Sequence, residues 1–353
     1  MELRDLTAHC GEWLSDSGPE HEIVISSRVR LARNLAAFPF MSKANRTQRS
    51  ELHRLCRQQL TGASYDRRIF YIDVDKTDET DRHLLVERHL ISKQLASGEG
   101  SRGVAVSTDE VLSVMVNEED HLRLQVLRSG LQLRECWQEA NRLDDRLQEH
   151  LEYAFSDRFG FLTACPTNVG TGLRVSVMMH LPALKFTGEI EKVLRSARDM
   201  HMAVRGLYGE GTDALGDFYQ ISNQTTLGRS EEEILEEFCT QIIPKIIKAE
   251  LAARSILEQE RPLVLDDKIG RAIGVLRNAR LLTTEETLYF LSHLRLGVAA
   301  KRVVGIDLAA INMLFLQTQP AHLQRVLGKS LEGESLKAAR AQFIRDKLPR
   351  STN

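Results

Sequence analysis

Apolar and polar residues alternate from Glu22 to Leu31, the two-residue period of a half-buried strand, and the period then lengthens to that of an amphipathic helix over Thr47–Leu60. A strand is predicted at Ile69–Val74 and a helix at Thr80–Ala96. Three short runs follow, Gly103–Ser107, Val111–Asn117 and His121–Leu127. Their joins are too short for a parallel crossover, so these strands must be antiparallel neighbours. A long helix is predicted over Leu131–Phe155, strands at Phe161–Thr163 and Leu173–His180, a helix over Gly188–Met202, a strand end at Ala203–Gly206 and a strand at Asp217–Asn223. From Ser230 the helical period dominates, opening on Glu231-Glu232-Glu233, which suits a helix N-terminus. Beyond Pro262 only helices are predicted, broken near Leu282–Thr284, Gly305–Asp307 and Gln317–Ala321. The expected fold class is α+β: a lead over 1–20, an antiparallel β-sheet flanked by helices over 21–255, and an all-helical C-terminal domain over 256–353.

A chain of 353 residues with 42% hydrophobic content can bury a full core and suits two domains. Its 47 Lys+Arg against 49 Asp+Glu create no overall basic field for nucleic acid. The charge is uneven: from Pro262 onward 14 Lys+Arg face 8 Asp+Glu, a net +6 that leaves −8 for the rest. The five cysteines are scattered, with no C-x-x-C pair and no zinc spacing, the usage of a reduced, cytoplasmic chain. There is no apolar leader, and no segment approaches eighteen consecutive apolar residues, so neither export nor membrane spanning is expected.

Strand alternation turns the arginines into a geometric argument. Leu122, Leu124 and Val126 share one face of their strand, which leaves His121, Arg123 and Gln125 on the other. Leu173, Val175, Val177 and Met179 likewise oppose Arg174 and Ser176, while Arg28 and Arg30 point together, away from Val29 and Leu31. A single alternating arginine usually marks a solvated face. Four of them on adjacent strands repel one another unless an anion binds, and phosphate is the anion that guanidinium clusters hold best. Arg205, the fifth arginine, ends a fourth such segment.

Carboxylates accompany the cluster. Glu119 lies in the turn Asn117-Glu118-Glu119-Asp120-His121, and Glu210 in the glycine-bearing loop Gly206-Leu207-Tyr208-Gly209-Glu210-Gly211. Cys165 opens Cys165-Pro166-Thr167-Asn168, where packing is the commoner role for a lone cysteine. A phosphate clamp beside carboxylates points to phosphoryl transfer onto a cationic acceptor. Gly98-Glu99-Gly100-Ser101-Arg102-Gly103 matches G-x-G-x-x-G but follows a helix and precedes a strand, the reverse of a dinucleotide fingerprint, and reads as a turn.

Ser26-Ser27-Arg28-Val29-Arg30, Asn117 to Arg123, Cys165 to Arg174 and Arg205-Gly206-x-x-Gly209-Glu210 resemble, in this order, the motifs of the phosphagen (guanidino) kinases, over roughly residues 20 to 250. That resemblance implies the phosphagen kinase catalytic fold, with MgATP held chiefly by arginines. The implied nucleotide contacts are Ser26, Ser27, Arg28, Val29, Arg30, His89, Arg123, Arg174, Val175, Ser176, Val177, Met178, Arg205, Gly206, Leu207, Tyr208, Gly209 and Glu210. Glu119 and Glu210 become the pair that grips the acceptor guanidinium, and Cys165 the active-site cysteine. No dedicated protein metal cage is implied, since Mg2+ would bridge phosphates.

Small-guanidine kinases carry a helical domain of roughly a hundred residues before the Ser-x-Arg-Val-Arg motif. Here 25 residues precede Ser26, and about 90 follow Pro262. That layout resembles the McsB-type bacterial protein arginine kinases, whose acceptor is an arginine side chain of a protein. The resemblance implies a homodimer, unfolded protein substrates, the heat-shock repressor CtsR as a target, an McsA-type activator, the ClpC component of the ClpCP protease and a role in stress response. The C-terminal phosphoarginine-sensing motif Arg-Asp-x-x-Arg-Ala survives here only as Arg340-Ala341, so weak allosteric response is expected. A small-guanidine phosphagen kinase and a non-catalytic phosphoarginine-binding adaptor are the competing readings. The adaptor would lose the carboxylates that Glu119 and Glu210 retain.

Overall fold

The computed structural model describes residues 3–62, 67–206 and 215–348. Ten strands are described: β1 (Val24–Arg33), β2 (Ile69–Asp73), β3 (Gly103–Ser107), β4 (Leu112–Val116), β5 (Leu122–Ser129), β6 (Phe155–Ser156), β7 (Gly160–Phe161), β8 (Leu173–His180), β9 (Met202–Arg205) and β10 (Phe218–Asn223). Eight of them form one antiparallel sheet in the order β2-β3-β4-β5-β1-β8-β10-β9, and β6 and β7 form a separate hairpin. The helices of the sheet region are α1 (Arg46–Gly62), α2 (Glu79–Glu87), α3 (Lys93–Ser97), α4 (Leu133–Gln148), α5 (Pro182–Thr187), α6 (Ile190–Asp199), α7 (Glu231–Glu237) and α8 (Ile243–Glu260). The C-terminal helices are α9 (Pro262–Asn278), α10 (Thr284–Ala299), α11 (Leu308–Gln317), α12 (Pro320–Leu327) and α13 (Gly333–Lys347).

The structure departs from the periodicity at identifiable backbone positions. The helix expected over Thr80–Ala96 is split into α2 and α3, because His89 takes a left-handed φ of 58° that no α-helix continues through. The helix expected to reach Phe155 ends at Gln148, and Phe155 instead begins the β6–β7 hairpin, which takes in only Phe161 of the strand expected at Phe161–Thr163. Gly160 is required at the tip of that hairpin: with φ 74°, a Cβ there would lie 2.5 Å from the Gly170 carbonyl oxygen. The helix expected over Gly188–Met202 begins at Ile190, since Gly188 closes α5 in the left-handed region. A further break at Gly328 separates α12 from α13.

The two sheet faces are unlike. Val29, Leu31, Leu124, Val126, Val175 and Val177 are all fully buried on the face against which α4 packs. Burial of each such side chain contributes about 1.5–3 kcal/mol. On the opposite face α2 and α3 cover the β2–β4 end through Ile72, Leu85, Leu95, Val104 and Val106. The β8–β10 end meets the C-terminal helices, where Phe218 packs edge-on to Phe315 at 4.8 Å. Between these covered ends lie the polar positions of β5, β1, β8 and β10.

The C-terminal helices share one continuous hydrophobic core with the sheet. Arg295 of α10 is fully buried and donates to the carbonyls of Glu22 (2.8 Å) and His21 (2.7 Å) and to Asn312 Oδ1 (3.1 Å). Burial pushes its guanidinium down to about 9. Ser292 donates to Asp217 (2.9 Å) and lies 2.8 Å from His180 Nε2, which ties α10 to the ends of β10 and β8.

Candidate functional site

The register of the central strands brings the arginines together. Arg30 faces Arg174 directly across β1 and β8 and faces Gln125 across β1 and β5, while Arg28 faces Ser176. Arg205 faces Gln220 across β9 and β10. Arg28, Arg30, Arg123, Arg174 and Arg205 all line a single cavity of about 770 Å³, together with Glu119, Cys165 and His89. Leu207, Tyr208, Gly209 and Glu210 lie outside the described residues; Gly206 is buried at the end of β9.

Neutral groups orient Arg28 without neutralising it. Its Nη2 donates to Gln220 Oε1 at 2.8 Å and its Nε to Ser176 Oγ at 3.2 Å. Arg174 donates to Ser222 Oγ at 3.1 Å. Arg123 is paired with Glu118, whose other oxygen accepts from Ser92. Burial, and after it the charges of Arg174, Arg123 and Arg205, push Arg28 down to about 9. Arg30 is held well below its ordinary value by burial and by Arg28, Arg123 and Arg174. Its Nε is buried without a hydrogen-bond partner. Guanidiniums depressed by burial and then by mutual repulsion, with an orphaned donor among them, make a site that an anion of several negative charges would relax.

Other implied contacts face elsewhere. The Ser27 hydroxyl donates to the Gly130 carbonyl at 2.8 Å, and Val29, Val175 and Val177 fill the core, so these residues can reach the cavity only through backbone. Ser26 and Met178 are buried on the arginine side. His89 is half-buried, and burial with the Arg28 charge lowers its imidazole to about 3, so it stands neutral.

The Glu119 turn is rigidly held. Asn117 takes φ 62° and donates to the carbonyls of Arg49 (2.8 Å) and Ser101 (2.7 Å). Asp120 Oδ1 accepts from Asn34 (2.6 Å) and from the Ala164 backbone (2.7 Å), which fixes this turn against the segment that carries Cys165. The Cys165 sulfur lies 3.0 Å from Thr167 Oγ1. Arg33, three residues beyond Arg30 on β1, is structural instead: fully buried, it pairs with Asp144 at 2.6 Å and donates to the carbonyls of Ala32 and Thr171.

Sequence reasoning did not single out Gln220 or Glu118. Gln220 was accessible to it, since Gln220 and Ser222 alternate with Ile221 on a strand already predicted. The pairing of Arg123 with Glu118 rather than Glu119 depends on how the turn folds, which alternation does not encode. Arg340 and Ala341 sit in α13 away from this cavity's lining. Arg340 is buried and donates to the carbonyls of Thr318 (2.7 Å) and Leu282 (3.0 Å).

An antiparallel sheet that carries five arginines and a turn glutamate around one cavity is the arrangement of a guanidino phosphotransferase. The catalytic-domain family "ATP:guanido phosphotransferase" matches residues 51–253, and the family "Protein-arginine kinase McsB C-terminal domain" matches residues 262–353. Among solved structures, the duplicated taurocyamine kinase of Schistosoma mansoni superposes with a TM-score of 0.61 at 26% identity, over 71% of this chain and 35% of that one. A lombricine kinase shares the fold with a TM-score of 0.59, over 70% of this chain and 72% of that one. The protein-arginine kinase of Halothermothrix orenii is 42% identical over 349 residues, 99% of each chain, and that of Symbiobacterium thermophilum is 44% identical over 339 residues, 95% of this chain and 96% of the other. The chain belongs to the protein-arginine kinase family and is a phosphotransferase of that class.

Proposed function

We propose that this enzyme transfers the γ-phosphoryl group of MgATP to the guanidinium of arginine side chains in proteins, giving phosphoarginine and ADP. The observation that carries the reading is the convergence of Arg28, Arg30, Arg123, Arg174 and Arg205 with Glu119 on one cavity, in a chain whose relatives are named protein-arginine kinases. The arginines hold the phosphates and stabilise charge on the group in transit, a role worth about 10³–10⁵ in rate for a single arginine in other phosphotransferases. The implied nucleotide fits the site's chemistry, since the buried Arg30 Nε lacks an acceptor and the cluster is mutually repelled. Mg2+ would enter the site together with the nucleotide. When bound there, it supplies charge neutralisation between the phosphates.

An arginine guanidinium, with a pKa of about 12.5 or above, has no free lone pair until a proton leaves. Glu119 and Glu210 fix its planar fork and accept that proton as the N–P bond forms and the bond from Pγ to the bridging oxygen of ADP breaks. Ser26 to Arg30, His89, Arg174 to Met178 and Arg205 to Glu210 make up the nucleotide-binding segments, with Ser27, Val29, Val175 and Val177 contributing backbone. Cys165, which lines the same cavity, is assigned as the active-site cysteine. In the cell we infer a cytoplasmic stress-response kinase that marks unfolded proteins for ClpCP and inactivates CtsR. It would act as a homodimer with an McsA-type activator, its phosphoarginine response through Arg340 and Ala341 weak. Comparison of kcat/KM for free arginine and for an unfolded protein tests the acceptor: protein-borne arginine should be used far better, and equal values would favour a small-guanidine kinase.

A further inference from the structure

Two consecutive residues, Glu87 and Arg88, bond to the C-terminal helix α12, and the next residue, His89, lines the cavity. A helix start leaves backbone N–H groups without intrahelical partners. At the start of α12 the N–H groups of Ala321 and His322 donate to the two carboxylate oxygens of Glu87, each at 2.8 Å. The next residue, Arg88, is fully buried and bonds to Glu110 Oε2 (2.9 Å), to His322 Nε2 of α12 (2.8 Å) and to the His9 carbonyl (3.0 Å). His89 then turns the chain at φ 58°, and its carbonyl accepts from Gln125 Nε2 at 2.8 Å. Its ring lies edge-on to Trp13 at 5.0 Å and lines the arginine cavity. A single residue, Arg88, therefore separates a carboxylate that holds α12 from an imidazole on the cavity wall. His89 itself sits in the left-handed region, a conformation that costs a non-glycine residue free energy and is kept only where its surroundings hold it.

We propose that Glu87 is a positioning residue for the nucleotide: by holding the N-terminus of α12 it fixes the Arg88–His89 turn and keeps the His89 imidazole at the cavity wall. The C-terminal helices are then a working part of the nucleotide site rather than only a docking module. The inference rests on the reading of the cavity as the ATP site. Burial pushes the Glu87 carboxyl up to about 7 against the pull of the two N–H groups, so the contact is one in which the loss of an acceptor is felt. The same two helices meet again at the other end of α2, where Arg325 of α12 bonds to Asp81 Oδ1 (2.5 Å) and Asp78 Oδ1 (2.6 Å). That second attachment joins α12 to α2 without touching the His89 turn, and so serves as the control.

The test uses the full chain and measures KM for ATP, kcat and apo Tm for Glu87→Gln, Glu87→Asp and Arg325→Ala. Gln sets an NH2 group against one of the α12 donors, and Asp is one methylene too short to reach both. Each Glu87 variant should raise KM for ATP by about tenfold, the equivalent of one lost charge-assisted contact, with kcat changed much less. Arg325→Ala should lower Tm and leave KM for ATP unchanged. Wild-type KM in a folded Glu87 variant, or an equal rise in KM from Arg325→Ala, would overturn the proposal while the kinase reading stands. Failure of the wild-type chain itself to bind or use ATP would instead remove the reading beneath it.

Discussion

Replacing Arg30 by Met should make the empty protein more stable and the nucleotide-bound protein less so. Arg30 sits directly across from Arg174, and Arg28 and Arg123 also depress its guanidinium, with only Glu118 in opposition. Two unit charges about 6 Å apart interact by about 3 kcal/mol at an effective dielectric of about 20, and by under about 1 kcal/mol at that of water. The Arg30 side chain is partly exposed, so residual screening holds the relief to about 1–2 kcal/mol, while Met preserves most of the aliphatic packing. The apo Tm should therefore rise by about 1–3 °C. ATP at 100 times Kd should stabilise the wild-type chain by about 2.7 kcal/mol. Loss of one charge-assisted phosphate contact weakens binding about 10- to 100-fold, which cuts that gain to about 0.4–1.4 kcal/mol at the same ATP concentration. Thermal unfolding with and without ATP reads both effects in one experiment. An apo Arg30→Met chain less stable than wild type that gains as much from ATP would refute the anion-clamp argument.

Glu119→Gln should leave ATP affinity within about twofold and lower phosphoryl transfer by at least about 10², the scale of lost acid–base and positioning catalysis; separate measurement of Kd and kcat checks this, and a wild-type rate would remove Glu119 from the mechanism. Burial holds His89 and His322 at about 3, His293 at about 4 and His180 well below its ordinary value. Their folded values lie below the unfolded 6.5, so the stability gained by keeping them neutral is complete above 6.5 and lost as pH falls toward 3–4. Glu87, raised to about 7, works in the opposite sense between 4.5 and 7, with the raised carboxyls of Glu250 and Asp16 on its side and the lowered His53 and His121 on the other. Tm should accordingly fall from pH 7.5 to 5.5, and a rise over that range would contradict the assignment. A chain cut after Arg261 loses the Arg295 bonds to His21 and Glu22 and uncovers Phe218, so it should lack cooperative unfolding by near-UV circular dichroism; a sharp transition would show the C-terminal helices to be dispensable for the fold.

Period-two alternation was sufficient to place Arg28, Arg30, Arg123 and Arg174 on one face, because side-chain direction along a strand is fixed by the pleat. The hairpin β3-β4-β5 was legible for a related reason, since short joins permit only one strand direction. Alternation failed where the backbone itself changes course. His89 resembles any polar residue of an amphipathic helix, yet its left-handed φ splits that helix and turns its ring into the cavity. Arg33 has the same chemistry as Arg28 and Arg30 but opposite parity, and only the approach of α4 shows that Asp144 claims it. The charge excess beyond Pro262 suggested a surface for partners, whereas Arg295 and Arg340 of that region are buried on backbone carbonyls of the interior.

The account stands or falls on where the phosphate goes. Purified enzyme, MgATP and an unfolded arginine-rich protein should yield phosphoarginine on the substrate by mass spectrometry under conditions that preserve the N–P bond. The signal should vanish with Glu119→Gln and persist with Arg325→Ala. Phosphate found on free arginine or creatine but never on protein arginine would contradict it.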